Sequence, residues 1–167
     1  MARFLAEFDA AFQRFFAYPK PIIAALNGAA TAGGCILALA CDYRVMAESA
    51  IIGVNEIQLG LPLPASALEI ARHEIPPQQH AYVFYSGKSF GAEEALRVGL
   101  VHEVVPPAQL LEAALTRLRA FTAHPGAAGG MLKTMLRGPA LERMRSGAKS
   151  TGEIFLDAWF SPAARAT

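Results

Sequence analysis

From Pro21 to Cys41 the chain carries no charged side chain, a stretch about as long as the roughly 20 apolar residues that a membrane-spanning helix requires. Its punctuation argues otherwise. Asn27, Gly28, Thr31, Gly33 and Gly34 interrupt the run, and a buried strand, a glycine turn and a buried helix explain both the apolarity and the breaks. A segment of this kind needs covering elements, so it predicts a layered α/β core in place of a membrane span.

The flanking sequence supplies some of those elements. Phe4, Phe8, Phe12 and Phe15 recur at helical spacing among Arg3, Glu7, Asp9 and Arg14, which predicts an amphipathic opening helix ending near Tyr18. Ile22 to Leu26 reads as a short buried strand, Asn27-Gly28 as its turn, and Gly33 to Ala40 as a second helix. Asp42 to Ala47 is a second strand and Ala50 to Val54 a short third one, where the strand signal of a sheet ends. Helices follow over Ala65 to His73, Gln78 to Tyr85 and Ala92 to Val98. Leu100 to Val105 is extended, and Pro106-Pro107 opens a helix through Thr122. From Pro125 onward two more helices are expected, separated at Gly138-Pro139.

Half an α/β layer with a helical tail is physically incomplete, because the apolar strand Ile22 to Leu26 should have strand neighbours on both edges. The expectation is that chain ahead of Met1 supplies the missing neighbour, with cover by another protomer as the alternative. Residues 1–105 form the core and residues 106–167 a helical region, within one continuous domain.

Composition narrows the function classes. A hydrophobic content of 53% with 17% charged residues belongs to a globular chain. Fifteen basic and fourteen acidic residues leave a formal charge of +1, without the basic stripe of a nucleic-acid binder. Cys35 and Cys41 fit neither C-x-x-C nor a disulfide framework and read as buried thiols. The acidic, helical N-terminus is unlike a signal peptide, so a cytoplasmic setting is expected. His73, His80, His102 and His124 show no metal-ligand spacing, no G-x-S-x-G elbow occurs, and no metal or redox cofactor is implied.

The chemistry-bearing stretch is the glycine-rich turn at the head of the second helix. Backbone N–H groups there, aided by the helix dipole, stabilise an oxyanion or phosphate, and glycine permits close approach. Small residues at such a turn also serve packing, and no Gly-Lys-Ser/Thr follows to make a phosphate loop.

Taken whole, KPIIAALNGAATAGGCILALACDYRVMAESAIIGVNEIQLGLP resembles the signature region of the crotonase, or enoyl-CoA hydratase/isomerase, family. The later GKSFGAEEALRVGLVHEVVPPAQL resembles the segment that follows it, and the likeness runs from about Met1 to about Arg165. The resemblance implies a partial crotonase-like α/β fold, a remnant of its ββα spiral with a C-terminal helical region. It implies acyl-CoA thioesters as substrates, with CoA present only as part of the substrate, and a homo-oligomer, a trimer or hexamer.

In that family two backbone amides hold the enolate of the thioester carbonyl. Gly33 matches the second, while the first belongs to an earlier strand-and-loop region not found here. Hydratases use two glutamates; the first position is Ile36 in this sequence and the second is Glu56. The resemblance also places Gly34, Ile36, Asn55 and Lys133 at substrate-binding positions, Lys133 toward the CoA phosphates, although a solvated helix face explains Lys133 equally well. Phe155, Trp159 and Phe160 fall where relatives complete an acyl pocket or pack a neighbouring subunit, and a plain core-facing stripe accounts for them too. One carboxylate beside an enolate suits proton transfer, and NEIQLG resembles the enoyl-CoA isomerase branch. The expected reaction is double-bond isomerisation with Glu56 as base, with a hydratase or a non-catalytic acyl-CoA-binding or assembly fragment as alternatives.

Overall fold

The computed structural model describes residues 1–124 and 126–165; Pro125, taken above as the start of the tail, lies outside the described residues. Helix α1, Ala2–Phe16, opens the chain and is followed by strands β1, Ile23–Leu26, and β2, Ala29–Thr31. Helix α2, Gly33–Leu39, leads to β3, Tyr43–Ala47, and β4, Ile51–Gly53. Next come α3, Ala65–Glu74; α4, His80–Ser86; β5, Phe90–Gly91; α5, Ala92–Arg97; and β6, Glu103–Val105. Helices α6, Leu110–Thr122; α7, Ala128–Trp159; and α8, Pro162–Arg165, complete it.

Six strands form two sheets of three. One runs β1-β3-β6, all parallel, and the other β2-β4-β5, with β4 and β5 antiparallel. The sequence reading missed β2 and β5 and took the sheet to end with β4. The short β2 was hidden inside the small-residue turn, where Ala-Ala-Thr carries no alternating pattern. Among the described residues β1 and β2 each have one strand neighbour, so the expected open edge is present and runs around the Asn27-Gly28 bend. Within the described residues no helix is long and apolar enough to cross a membrane.

The core gathers α2, β3 and the buried faces of α3, α5 and α7. Ile36, Leu39, Val45, Met46, Ile52, Ile70 and Leu100 are fully buried in it. The expected break at Gly138-Pro139 does not occur: α7 is one helix of 32 residues with Pro139 inside. Arg137, Ala140, Leu141 and Met144 are buried at helical spacing on either side of that proline. Packing of this face against the core outweighs the proline penalty of about 3 kcal/mol.

A network of charged side chains crosses this core. Arg44 is completely buried; its Nη1 donates to Glu74 Oε2, Leu39 O and Cys41 O, each at 3.1 Å, and its Nε to Leu100 O at 2.8 Å. Arg137 donates to Phe16 O and Ala40 O at 2.8 and 2.9 Å, and pairs with Asp42 at 3.1 Å and Glu74 at 3.2 Å. Lys133 bonds Asp42 at 2.7 Å and Lys20 O at 3.0 Å. These links tie α7 to α1, to α3 and to the segments that lead into β1 and β3, so the helical tail shares the core of the preceding residues.

Candidate active site

Glu56 begins a single 3-10 turn, Glu56–Leu59, that follows β4. Two glycines fix that turn. Gly60 closes it with φ of 69°, a left-handed conformation that glycine adopts without strain. At Gly87, φ is also positive, and a Cβ there would lie 2.6 Å from Ile57 Cγ2. The chain after α4 therefore presses against the turn and holds the Glu56 backbone in place.

The Glu56 side chain lines a cavity of about 780 Å³. Its other walls include Val54, Leu61, Leu63, Leu68, Phe84, Tyr85, Ile154 and Ala158. Oε2 is buried with no hydrogen-bond partner. Burial raises the proton affinity of Glu56 above the ordinary carboxylate value, opposed by hydrogen bonds from the backbone N–H groups of Glu56 itself and Asn55. A carboxyl with one desolvated, unpaired oxygen and a raised proton affinity can exchange protons with a ligand.

The glycine turn lies nearby in the fold. Charge on Glu56 contributes to the raised pKa of the buried Cys35 thiol, which desolvation chiefly pushes up to about 12. Gly33 and Gly34 are the first two residues of α2, and their N–H groups have no acceptor within that helix. Ala32, just ahead of them, has φ of 50° and ψ of −126°, a costly conformation for a residue with a Cβ. It is pinned by its N–H, which donates to Gly53 O at 3.0 Å. A Cβ on Gly33 would meet only Phe8 Cε2 at 3.9 Å, and one on Gly34 would meet nothing within 4 Å. Packing thus demands glycine at neither position. At Gly53 it does, since a Cβ would strike Lys88 O at 2.5 Å.

The remaining sequence candidates separate. Ile36 is fully buried in the main core and Asn55 caps the 3-10 turn; neither lines the cavity, and nor do Gly33, Gly34 or Lys133. The Lys133 ammonium is committed to Asp42 and Lys20 O, so its side chain is mostly buried and the solvated-face reading does not hold. Phe155 turns away from the cavity into a small cluster with Leu5 and Leu61, and Trp159 stacks on it at 5.9 Å. Thr151, Ile154 and Ala158 line the cavity in their place, spaced by three and four along the helix as one face requires. Phase along α7 had to be known to choose between these stripes. The aromatic helix read at Gln78 to Tyr85 contributes Phe84 and Tyr85, a role that its sequence pattern did not reveal. His73 packs edge-on against Phe16, His80 Nε2 bonds Ile75 O, and His102 Nδ1 accepts from Arg44 N–H.

The sequence profile of the enoyl-CoA hydratase/isomerase family matches residues 2–157. Human mitochondrial enoyl-CoA delta isomerase 1 is 36% identical over 125 residues, 74% of this chain and 41% of that protein. Crotonyl-CoA hydratase of Syntrophomonas wolfei is 38% identical over 109 residues, 63% of this chain and 42% of the other. The chain thus spans less than half the length of these relatives. A crystal structure of human mitochondrial delta3-delta2-enoyl-CoA isomerase superimposes with a TM-score of 0.86 at 30% identity, over 95% of this chain and 62% of that one. A probable enoyl-CoA hydratase of Mycobacterium tuberculosis gives 0.85 at 27% identity, over 96% and 69%. The fold is the crotonase fold, and the chain belongs to the enoyl-CoA hydratase/isomerase family.

Proposed function

We propose that this chain carries the proton-transfer half of an enoyl-CoA isomerase site, with Glu56 as the base and the Gly33 amide as one of the donors to a thioester enolate. The observation that carries the reading is the unpaired, buried Glu56 Oε2 beside a mostly apolar cavity whose lining, among the described residues, includes no second acidic side chain. The open space at Gly33 and Gly34 supports it, because close approach of a ligand accounts for glycines that packing does not require.

In this mechanism Glu56 removes a proton from C2 of a 3-enoyl thioester. The C–H electron pair moves into the C2–C1 bond and the carbonyl electrons onto the thioester oxygen, where backbone N–H groups stabilise the negative charge. The Glu56 carboxyl then returns its proton to C4, the carbonyl re-forms, and the double bond stands between C2 and C3. One carboxylate suffices, and no water enters. Hydration needs a second group to position water, and Ile36, at the matching position, supplies none. The likeness to a crotonyl-CoA hydratase keeps hydration as the second reading.

The same reading includes assembly into a trimer or hexamer. The strongly exposed Met131, Leu132, Met135 and Leu136 on α7 support a covered face there. The test is a parallel assay of purified protein with a 3-enoyl-CoA and a 2-enoyl-CoA. Conjugation of the first without hydration of the second is expected; hydration alone overturns the isomerase reading, and no turnover of either points to a non-catalytic fragment.

A further inference from the structure

Apart from Glu56, the polar side chains on the cavity wall are Arg72, His80, Thr151 and Tyr85, the last largely exposed. Two of these are committed. His80 Nε2 lies 3.0 Å from Ile75 O and so carries its proton toward that carbonyl, and Thr151 Oγ1 donates to Gly147 O at 2.8 Å. Arg72, one turn beyond Leu68 on α3, is different. Its Nη1 donates to Glu69 Oε1 at 2.8 Å, and its other N–H groups have no acceptor among the described residues.

The charge around Arg72 is unbalanced. Glu69 is buried, and its second oxygen already accepts from Arg143 Nε at 2.6 Å. One carboxylate therefore answers two guanidiniums, which leaves a surplus positive charge at the cavity wall. Arg72 stands on α3 and Glu56 on the turn that follows β4, so the two charges enter the cavity from different elements. A plain hydrocarbon chain would lie against Arg72 and strip water from it without giving an acceptor in return. A carboxylate matches the free edge of a guanidinium in shape and charge.

We propose that Arg72 selects acyl thioesters whose chain ends in a second carboxylate, so that the substrate class is an ω-carboxy enoyl-CoA. The proposal rests on the cavity being the acyl site of the isomerase reading. An anionic group at Arg72 has one other source, the phosphates of CoA, and free CoA separates the two.

Binding of adipoyl-CoA, hexanoyl-CoA and free CoA is measured by calorimetry on the intact chain, Arg72→Gln and Arg72→Lys. The wild type is expected to bind adipoyl-CoA about tenfold tighter than hexanoyl-CoA, a modest value for a half-exposed pair. Arg72→Gln removes that preference, weakening adipoyl-CoA and leaving hexanoyl-CoA level or tighter, Arg72→Lys keeps part of it, and neither variant weakens free CoA. Glu69 retains Arg143 in both variants, so unchanged melting temperatures are expected. Equal binding of the two acyl-CoAs by the wild type, loss of free-CoA binding in Arg72→Gln, or no binding of any of them overturns the proposal. Turnover of 3-hexenoyl-CoA is scored separately: its absence with the adipoyl preference intact sinks Glu56 as the base and leaves Arg72 standing.

Discussion

Glu56 and Glu74 are both withdrawn from water, and their surroundings are opposite. Glu74 meets Arg44 at 3.1 Å and Arg137 at 3.2 Å, while Asp42 beside it takes Lys133, Arg137 and the Ile22 N–H. Every charge in that network has a partner, and its members join elements far apart in sequence. Glu56 has a buried oxygen with none. Folding alone gives no reason to keep a carboxylate in that state, since an uncompensated buried polar group costs about 1–3 kcal/mol. The paired carboxylates hold the molecule together; the one with an unpaired oxygen is the base of the proposed reaction.

That contrast is open to direct attack. The largest effect belongs to Glu56→Gln. Isomerisation should fall by about 10²–10⁴, whereas the melting temperature stays level or rises, because the amide carries no charge to desolvate. A variant that kept full activity would remove Glu56 from the chemistry. Glu74→Ala should do the reverse to stability: two buried guanidiniums lose a carboxylate, and urea titration should show a loss of about 3–5 kcal/mol. A loss below the range of ordinary surface substitutions would mean that the network is not what ties α7 to the core.

Titration sharpens the comparison. Glu56 binds its proton more tightly folded than unfolded, so its contribution to stability declines as pH rises from the ordinary carboxylate value through the raised one. Wild type should therefore lose stability relative to Glu56→Gln across that window and run parallel to it above. Isomerisation should rise with pH through the same raised value, as the base ionises. His102 shifts the other way, held down to about 4 first by desolvation and then by Arg44. Folding disfavours its proton, so stability should drop as pH falls from about 6.5 toward about 4. His102→Gln should flatten that part of a thermal-melt profile, and an unchanged slope would assign the acid loss to other groups.

The smallest effect is at Ala32. Its left-handed φ carries a strain of about 1–3 kcal/mol, of which glycine would relieve part at an entropic cost of roughly 0.5–1. Ala32→Gly should stabilise the chain slightly, and Ala32→Val should destabilise it. If glycine at this position also slowed isomerisation with unchanged substrate binding, the strain would be serving to aim the Gly33 amide.

Legibility followed the range of the interactions. The helical rhythm of Phe4, Phe8 and Phe12 is local, and α1 lies where that rhythm puts it. The apolar Ile22 to Leu26 announced a strand in need of neighbours, and β1 has one side paired and one open. Pro139 misled, because proline acts locally while the face that keeps α7 whole is buried by α1 and α3. Arg44 lies inside the run read as a strand, where nothing marked it as buried, and its acceptors come from Leu39, Cys41, Glu74 and Leu100, which no spacing rule connects.

The sequence by itself determined the family and singled out Glu56 and Gly33, because those signals are written in short contiguous motifs. It also determined where most helices lie, since periodicity and proline act over a few residues. Only the tertiary structure decided that Glu56 Oε2 is buried without a partner, that Lys133 is tied to Asp42, and which stripe of α7 faces the cavity. It also brought Arg72 and Glu56 to one cavity. Burial, pairing and helix phase depend on what the rest of the chain places around a residue, and that is set by packing across the whole core.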